Sequence, residues 1–340
     1  MFIRHIATTN LSQIACEPLS IVRTASCGRS NNITWFTRAM QCSRLSTIGA
    51  ILPNEKSILP WRASTPCCYT TTKMQRLVLP MKLGWCSGST NAHKVRQAGY
   101  DFIELPLAAF QLEDPDAYHA QVQEILSLSL PTAAFNIFFP RTIKIVGPEA
   151  EPNRIKDYVA RAAQAVSLAK ARIVVLGSGA SRHIPECWER ERAETQFLET
   201  LSVIDEEFKG CGATLVIEPL NRKESNLINS ISEAVRMAQL INSPVIQALA
   251  DVYHMMEENE PLEEIRRHAE WIAHIHVADT ERKPPGEGSF DFRSLSDMLQ
   301  QMNYQGMVSV ECTAAADRFD SILQDSHSFL RKEMQLKETK

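Results

Sequence analysis

The order of apolar segments predicts an α/β protein folded as a (β/α)8 TIM barrel. Between residues 81 and 335, eight short strand-like segments alternate strictly with about eight helical ones. Such alternation indicates parallel strands joined by helical crossovers, and eight repeats fit a closed barrel of about 250 residues. A doubly wound open sheet is the alternative, but it usually carries a glycine-rich phosphate loop after its first strand. The first loop here reads CSGSTNAHK and lacks that pattern.

The predicted strands are short runs of apolar and β-branched residues that end in a turn. In chain order they are KLGWC (82–86), DFIELP (101–106), PTAAFNIFF (131–139), RIVVLG (172–177), TLVIEP (214–219), VIQALAD (245–251), WIAHIHVAD (271–279) and MVSVE (307–311). Helical periodicity places the intervening helices near residues 90–98, 115–129, 153–170, 190–209, 230–242, 260–268, 292–302 and 316–335.

The first 80 residues differ in composition from the rest of the chain. They contain nine Lys or Arg, two acids and five of the nine cysteines, with many Ser and Thr and no periodic apolar pattern. This Arg-rich, acid-poor composition is typical of an organellar transit peptide. A start codon placed too far upstream is the alternative. We therefore divide the chain into a disordered N-terminal extension (1–80), the barrel (81–335) and a short tail (336–340).

Composition limits the classes of partner and the compartment. The 340 residues are 44% hydrophobic and 22% charged, with a net charge of -4, which fits a globular protein and gives no reason to expect nucleic acid as a partner. No apolar stretch reaches the roughly 18 residues that would cross a membrane. The cysteines of the barrel show no CxxC spacing, so we expect reduced thiols and a cytoplasmic location, or a mitochondrial or other organellar one if residues 1–80 are a transit peptide.

Four acidic or imidazole residues stand at the ends of four successive predicted strands, namely Glu218, Asp251, His276 and Glu311. In a (β/α)8 barrel the carboxyl ends of the strands meet at one mouth, so these side chains are expected to point into a common space. Three carboxylates at one point repel each other unless a divalent cation binds them. The alternative is that each acid caps the following helix, which fits Asp251 and Glu311 singly better than all four together.

The residue types indicate which cation would bind. Carboxylates with one imidazole suit Mn²⁺, Mg²⁺, Co²⁺ or Zn²⁺ rather than a soft metal. His254, Arg282 and Glu224 follow three of these ligands closely in sequence and could bind substrate oxygens by charge-assisted hydrogen bonds. Alternatively, His254 and Arg282 face solvent, and Glu224 orients Arg222 or Asn221 from behind.

Further candidate residues lie at or near the strand ends. Glu104 ends the second strand and could face the pocket or form a structural ion pair. His274 is expected to point to the opposite face of its strand from His276 and to pack against helices. GSGAS (177–181) is interpreted as a plain turn. A phosphorylated substrate would be favoured if at least two basic residues near the mouth converged, the candidates being Arg182, Arg222, Arg282 and Lys283.

The segments EPLNRKESNLIN, ADVYHM, HVADTERKPPGEGSFDF and VSVE resemble the xylose isomerase-like barrel superfamily of sugar isomerases and epimerases. They are most similar in order and spacing to the ketose 3-epimerases that act on D-tagatose and D-allulose. The resemblance extends over residues 81–335 and is strongest over 214–311. The loops GSGASRHIPECW and ECTAAADRFD depart from it, which affects the part of the pocket distant from the metal.

The resemblance implies one divalent metal ion, most often Mn²⁺, bound by Glu218, Asp251, His276 and Glu311. It also implies that Glu218 and Glu311 are the catalytic acid–base pair, that His254, Arg282 and Glu224 bind the substrate, and that the protein is a dimer or tetramer. The expected enzyme is an isomerase that epimerises or isomerises a keto sugar or related hydroxy-ketone through a metal-stabilised enediolate.

Other functions fit the same residues. An aldose–ketose or hydroxypyruvate isomerase and a dehydratase of a cyclic polyol would share the metal site. A phosphodiesterase or apurinic endonuclease is disfavoured because it needs more metals and histidines and a basic face. A catalytically silent sugar-binding barrel belongs to a different class, and it would be expected to have a broken ligand set.

Overall fold

The computed structural model describes residues 81–336, and the predicted fold class is confirmed. Eight parallel strands form a closed barrel in the order β1 to β8, with β8 paired to β1. The strands are β1 (Lys82–Cys86), β2 (Phe102–Pro106), β3 (Thr132–Asn136), β4 (Ile173–Leu176), β5 (Thr214–Ile217), β6 (Ile246–Asp251), β7 (Ile272–Val277) and β8 (Met307–Val310). The predictions for residues 1–80, and for all but the first residue of the tail 336–340, lie outside the described residues.

The helices cover the outside of the barrel. They are α1 (Ala92–Gln97), α2 (Pro115–Ser127), α3 (Pro152–Ala169), α4 (Gly179–Arg182), α5 (Arg190–Phe208), α6 (Ile231–Ile241), α7 (Val252–Glu257), α8 (Glu263–Arg267), α9 (Phe292–Gln301) and α10 (Phe319–Glu333). One helix was predicted near 260–268. The structure has two, because Asp251 begins the short helix α7 directly at the end of β6. Within the described residues, no helix combines the length and the apolar character needed to cross a bilayer.

Local sequence explains where the helices begin. Asp114 accepts hydrogen bonds from the first backbone N–H groups of α2, and Pro115 follows at the first helical position. Ser230 accepts from the backbone N–H of Glu233 at the start of α6, and the Glu233 carboxylate accepts in return from Asn229 N. These are standard ways to satisfy the free N–H groups of a first turn.

The core has two layers. The larger one lies between the strands and the surrounding helices, and there Trp85 packs edge-on against Tyr100 and Phe319. The smaller one fills the barrel and consists of Phe102, Ala134, Ile173, Val175, Val216, Leu249 and Met307. Gly84 leaves room for the Phe102 ring, since a Cβ there would lie 2.2 Å from it.

The side chains that point into the barrel change from apolar to polar toward the carboxyl ends of the strands. Phe102, Val216, Leu249 and Met307 are each followed two residues later by a polar side chain, and residues two apart share a face of a strand. Those polar residues are Glu104, Glu218, Asp251 and Ser309. The lower barrel is therefore an apolar plug, and its carboxyl end holds buried charged groups.

Candidate metal centre and active site

The structure brings the four predicted ligands together. Glu218, Asp251, His276 and Glu311 each offer one ligand atom, and these atoms all lie within 4.8 Å of one another. Nδ1 of His276 is 3.2 Å from Glu218 Oε1, 3.7 Å from Asp251 Oδ2 and 3.6 Å from Glu311 Oε2. The first three residues are buried, and the Glu311 side chain is 16% exposed, so the group opens toward the Glu311 side.

Strand register aligns Asp251 with His276. The β6–β7 pairing shifts by one residue between Ala248 and Leu249, and Asp251 then pairs directly with His276. A bulge of this kind re-aims the side chains that follow it.

Asp251 uses its two carboxylate oxygens differently. Oδ1 accepts from the backbone N–H of Tyr253 at 2.7 Å and of His254 at 3.3 Å, so Asp251 caps α7. Oδ2 is buried and has no hydrogen-bond partner among residues 81–336. A buried carboxylate oxygen without a partner costs free energy unless a cation or proton reaches it. The donor set and this free oxygen therefore fit a hard divalent cation.

Glu311 is oriented by two neighbours. Its Oε1 accepts from Asn136 Nδ2 at 2.9 Å, and its Oε2 accepts from Arg282 Nη2 at 2.7 Å. The Arg282 guanidinium also bonds Glu224 at 3.2 Å and lies 4.9 Å from the centre of the Tyr253 ring. Arg282 therefore does not face solvent freely, and it connects Glu311 to the predicted substrate-binding residues.

His254 and Glu224 lie near each other through Asn221. His254 is 2% exposed, and its Nδ1 accepts from the backbone N–H of Asn221 at 3.1 Å. Its Nε2 is buried and has no hydrogen-bond partner within the described part of the chain, so it has free capacity for a ligand oxygen. Glu224 accepts from the Asn221 side chain at 3.1 Å, whereas Arg222 pairs with Glu258 instead. Of the two neighbours that Glu224 was expected to orient, it contacts Asn221, whereas Arg222 pairs with Glu258.

The carboxylates occupy different electrostatic environments. Burial and the charge of Glu311 raise the pKa of Glu218, although His276 opposes the shift. Burial also disfavours the charged form of Glu311, but His276 and Arg282 together outweigh burial and lower its pKa. The pKa of Asp251 is lowered for the same reason, by His254, His276 and Arg282 against burial. Carboxyl groups with pKa values pushed in opposite directions suit a division between proton donor and acceptor.

The expectation for His274 was wrong. His274 and His276 are two residues apart and therefore share the inner face of β7, with ring centres 5.1 Å apart. His274 Nε2 lies 2.9 Å from Glu104 Oε2 inside the barrel. Glu104, whose role was left open, is fully buried and contacts both histidines.

The segment GSGAS is more than a plain turn. It leads into α4, and Gly177 makes room for the Glu218 carboxylate, since a Cβ there would lie 2.0 Å from Oε2. Arg182 is fully buried and donates to the backbone carbonyls of Leu176 at 2.9 Å and Glu218 at 2.5 Å. This loop therefore holds the end of β5, a role that the one-dimensional pattern did not indicate.

The four basic candidates for a phosphate site do not converge. Arg222 pairs with Glu258, Lys283 pairs with Glu281, and Arg282 pairs with Glu311. Arg182 is occupied by backbone carbonyls. A phosphorylated substrate gains no support from this arrangement.

The fold and the arrangement of the strand-end residues define a barrel of the sugar isomerase type. A family model described as "Xylose isomerase-like TIM barrel" matches residues 92–333, and the chain belongs to that family. The resemblance seen in the sequence is thereby confirmed.

Individual relatives agree with this membership. The chain is 31% identical over 134 residues to a 3-dehydro-D-guloside 4-epimerase of Escherichia coli, a match that covers 39% of this chain and 51% of the relative. It is 25% identical over 231 residues to a D-psicose 3-epimerase of Enterocloster bolteae, covering 64% of this chain and 74% of the relative. The matched segment thus spans only about half of the first relative.

Solved structures show the same fold. The crystal structure of apo 3-keto-D-glucoside 4-epimerase from Escherichia coli superposes with a TM-score of 0.64 at 21% identity, covering 74% of this chain and 99% of that one. At this identity the likeness concerns the fold alone. The curated relatives above are named as sugar epimerases.

Proposed function

We propose that this chain is a divalent-metal-dependent epimerase of a keto sugar or a related hydroxy-ketone. The observation that carries the proposal is the meeting of Glu218, Asp251, His276 and Glu311 within 4.8 Å at the carboxyl end of the barrel. The names of the sugar epimerases that the chain resembles support the substrate class. Mn²⁺ is the first candidate for the ion, with Mg²⁺, Co²⁺ and Zn²⁺ as alternatives.

Two carboxylates would move the proton. Glu218 follows β5 and Glu311 follows β8, with Asp251 and His276 on the two strands between them. A substrate held between Glu218 and Glu311 would present opposite faces of one carbon to the two carboxylates. Removal of a proton by one and its return by the other inverts that carbon. A bound divalent cation would supply stabilisation of the negative charge that develops on the substrate oxygens.

Three further residues would hold the substrate. The free Nε2 of buried His254 offers one hydrogen-bonding position, and Glu224 offers carboxylate oxygens at the mouth. Arg282 holds Glu311 in place and supplies positive charge beside it. Charge-assisted hydrogen bonds of this kind position hydroxyl groups and developing oxyanions.

Exchange with heavy water tests the two-carboxylate mechanism. In the presence of Mn²⁺ the parent protein should incorporate deuterium at the inverted carbon of a ketose substrate, followed by NMR. Glu218→Gln and Glu311→Gln should each slow exchange by about 10²-fold or more, since each removes a proton carrier. Glu281→Gln is the matched control, because Glu281 is an exposed acid outside the group of four and its side chain pairs with Lys283. Unchanged exchange in both site variants would exclude the mechanism.

A substrate panel separates the related reactions. Free ketoses, aldoses and inososes would be incubated with the Mn²⁺-loaded parent and the products identified by NMR. Inversion at one carbon of a ketose is the expected result. Conversion of aldose to ketose would instead establish an isomerase, and loss of water from an inosose a dehydratase. Turnover of none of these substrates, despite metal binding, would favour a silent sugar-binding barrel.

A further inference from the structure

One buried carboxylate has no part in the proposed proton transfer. Glu104 lies on β2, is completely buried, and uses both of its oxygens. Oε1 lies 2.9 Å from His276 Nε2. Oε2 lies 2.9 Å from His274 Nε2 and accepts from Ser309 Oγ at 2.6 Å. Glu104 thus connects three strands across the barrel interior and touches one predicted metal ligand directly.

The two sides of the His276 ring face different sets of atoms that could bind a metal ion. Nδ1 faces Glu218, Asp251 and Glu311, all within 3.7 Å. The opposite side of the ring faces Glu104 and Cys86, and these two residues with His276 form a second group of ligand-type atoms within 4.8 Å of one another. The position of the ring proton therefore decides which side is able to bind a cation.

Glu104 resolves this choice. The Glu104 carboxylate is surrounded by hydrogen-bonding groups, since Oε2 accepts from Ser309 Oγ at 2.6 Å and lies 2.9 Å from His274 Nε2. A carboxylate accepts hydrogen bonds, so His276 Nε2, which lies 2.9 Å from Oε1, is the ring nitrogen that carries the hydrogen. In a neutral imidazole the other nitrogen then presents its lone pair. That nitrogen is Nδ1, which points toward the three carboxylates.

We propose that Glu104 is the positioning residue of the metal centre, which fixes the Nε2–H tautomer and the orientation of His276 so that Nδ1 is the nitrogen that binds the cation. The inference rests on the proposed metal-dependent function and deepens it. Partners of this kind orient metal-binding histidines, and their loss typically weakens metal affinity by about 10- to 100-fold. Glu104 contacts His276 at the ring nitrogen opposite the one that faces the three carboxylates, and it acts through that residue.

The surrounding residues provide matched controls. His274 and Ser309 bond the same carboxylate at Oε2 but do not belong to the group of four metal-ligand candidates. Ser309→Ala removes one hydrogen bond to Glu104 and leaves the contact to His276 in place. A purely structural role for Glu104 would make Ser309→Ala and the Glu104 variants differ in stability only. A positioning role makes them differ in metal affinity.

Metal titration of the purified chain tests the inference. Mn²⁺ binding would be measured by calorimetry for the parent, Glu104→Leu, Glu104→Gln and Ser309→Ala. Glu104→Leu should bind about 10- to 100-fold more weakly. Glu104→Gln should recover most of the affinity, since its amide oxygen can still accept from Nε2–H, and Ser309→Ala should bind like the parent. Parent-like binding by Glu104→Leu would overturn the proposal.

Two spectroscopic measurements on the parent need no variant. The ¹⁵N shifts of His276 in the Mg²⁺-loaded protein should show a protonated Nε2, and a protonated Nδ1 would refute the inference. The Co²⁺-loaded protein should lack a thiolate-to-cobalt charge-transfer band. Such a band would place the ion with Cys86 on the Nε2 side and overturn it equally.

The outcome for Glu104 is distinguishable from that for the proposed reaction. If the parent binds Mn²⁺ and Glu104→Leu loses affinity while no ketose turns over, the positioning role stands and the proposed reaction fails. If the parent epimerises a ketose and Glu104→Leu binds Mn²⁺ equally well, the reaction stands and the positioning role fails. A parent chain that binds no divalent ion refutes both.

Discussion

Replacing Glu218 by Gln should raise the stability of the metal-free protein and abolish its stabilisation by Mn²⁺. Three carboxylates meet within 4.8 Å, and Glu218 is the member whose pKa is raised by burial and by Glu311. Glutamine has nearly the same shape, and its side-chain oxygen can still accept from His276 Nδ1. The substitution therefore removes a charge and little else.

The magnitude follows from the distances. At 4.8 Å, the upper limit of the separations within the group, two unit charges repel by about 3 kcal/mol at an effective dielectric constant of about 20. Glu218 has two such neighbours, Asp251 and Glu311, so the repulsion is at least about 6–7 kcal/mol. In the metal-free protein Glu104 and Glu311 outweigh burial and raise the pKa of His276 well above its ordinary value, and the protonated ring, 3.2 Å from Glu218, returns about 5 kcal/mol. The net cost of at least about 1–2 kcal/mol, removed by Glu218→Gln, corresponds to a rise in Tm of about 2–8 °C or more in a barrel of this size.

Thermal melting with and without Mn²⁺ is the assay. At 100 times its Kd an ion stabilises the folded state by about 2.7 kcal/mol, or about 5–10 °C in Tm. Glu218→Gln should therefore melt higher than the parent in EDTA and lower than the parent in excess Mn²⁺. This reversal of order is the signature of carboxylates held together for a cation. Glu281→Gln, the exposed control, should follow the parent in both buffers.

Two results would refute this reasoning. A parent Tm that does not respond to Mn²⁺, Mg²⁺, Co²⁺ or Zn²⁺ would mean that the four side chains bind no such ion. A Glu218→Gln variant that melts below the parent in EDTA would mean that the ionised carboxylate stabilises the metal-free fold. In that case the contact with His276 outweighs the repulsion by Asp251 and Glu311.

Three further changes test other parts of the structure. Arg182→Met should lower the free energy of unfolding by about 2 kcal/mol in urea titrations, because the buried carbonyl of Glu218 loses its Arg182 donor and that of Leu176 keeps only the backbone N–H of Glu218. Parent-like stability would contradict this role. Burial raises the pKa of Glu260 to about 7, so the stability that its protonated form contributes is lost as pH rises through 7. Glu260→Gln should therefore be more stable than the parent by about 1 kcal/mol at pH 9, after allowance for solvent screening, and equal to it below pH 4.5. Ile137 has φ 46° and is 45% exposed, so Ile137→Asn should raise stability by about 1 kcal/mol; a lower Tm would show that its side chain makes contacts that outweigh the backbone strain.

The fold and the four central residues were predictable because they depend on periodic patterns. Strand–helix alternation fixes parallel pairing, and the position of Glu218 or Glu311 just after an apolar run places each at the mouth. Their mutual distances then follow from barrel closure. The same pattern could not reveal the bulge in β7, where Ala273 is the extra residue, because the bulge depends on pairing with β6.

The supporting residues could not be predicted in this way because their partners are distant in the chain. Asn136 and Glu311 are 175 residues apart, and Glu104 and His274 are 170 apart. Neither Asn136 nor Glu104 belongs to a local motif, so only closure of the barrel shows what each contacts. For His274 the information was present in the two-residue spacing from His276, and the error lay in reading that spacing as a change of face.

Left-handed backbone conformations occur both at helix ends and at the mouth of the barrel, but different residue types adopt them in the two places. At the ends of α3 and α6 the left-handed residues are Lys170 and Asn242, and both cap their helix. Asn favours this conformation, so such positions can be read from sequence. The mouth is different, because the left-handed residues that follow β3, β5 and β7 include Ile137, Ile228 and Arg282. A β-branched residue in this region is held there at a cost of about 1–2 kcal/mol.

Contacts from elsewhere in the chain maintain this strained backbone. The carbonyl of Ile137 accepts from Ala108 N at 2.9 Å, and that of Arg282 accepts from Thr313 N at 2.8 Å. Asn136 directly precedes the strained Ile137, and Arg282 is itself strained, yet these two residues hold the Glu311 carboxylate from two sides. The strain is therefore located where it orients a proposed proton carrier, and relaxing it should disturb Glu311 more than it disturbs the barrel. This is the distribution expected when the rest of a stable scaffold compensates for a strained site.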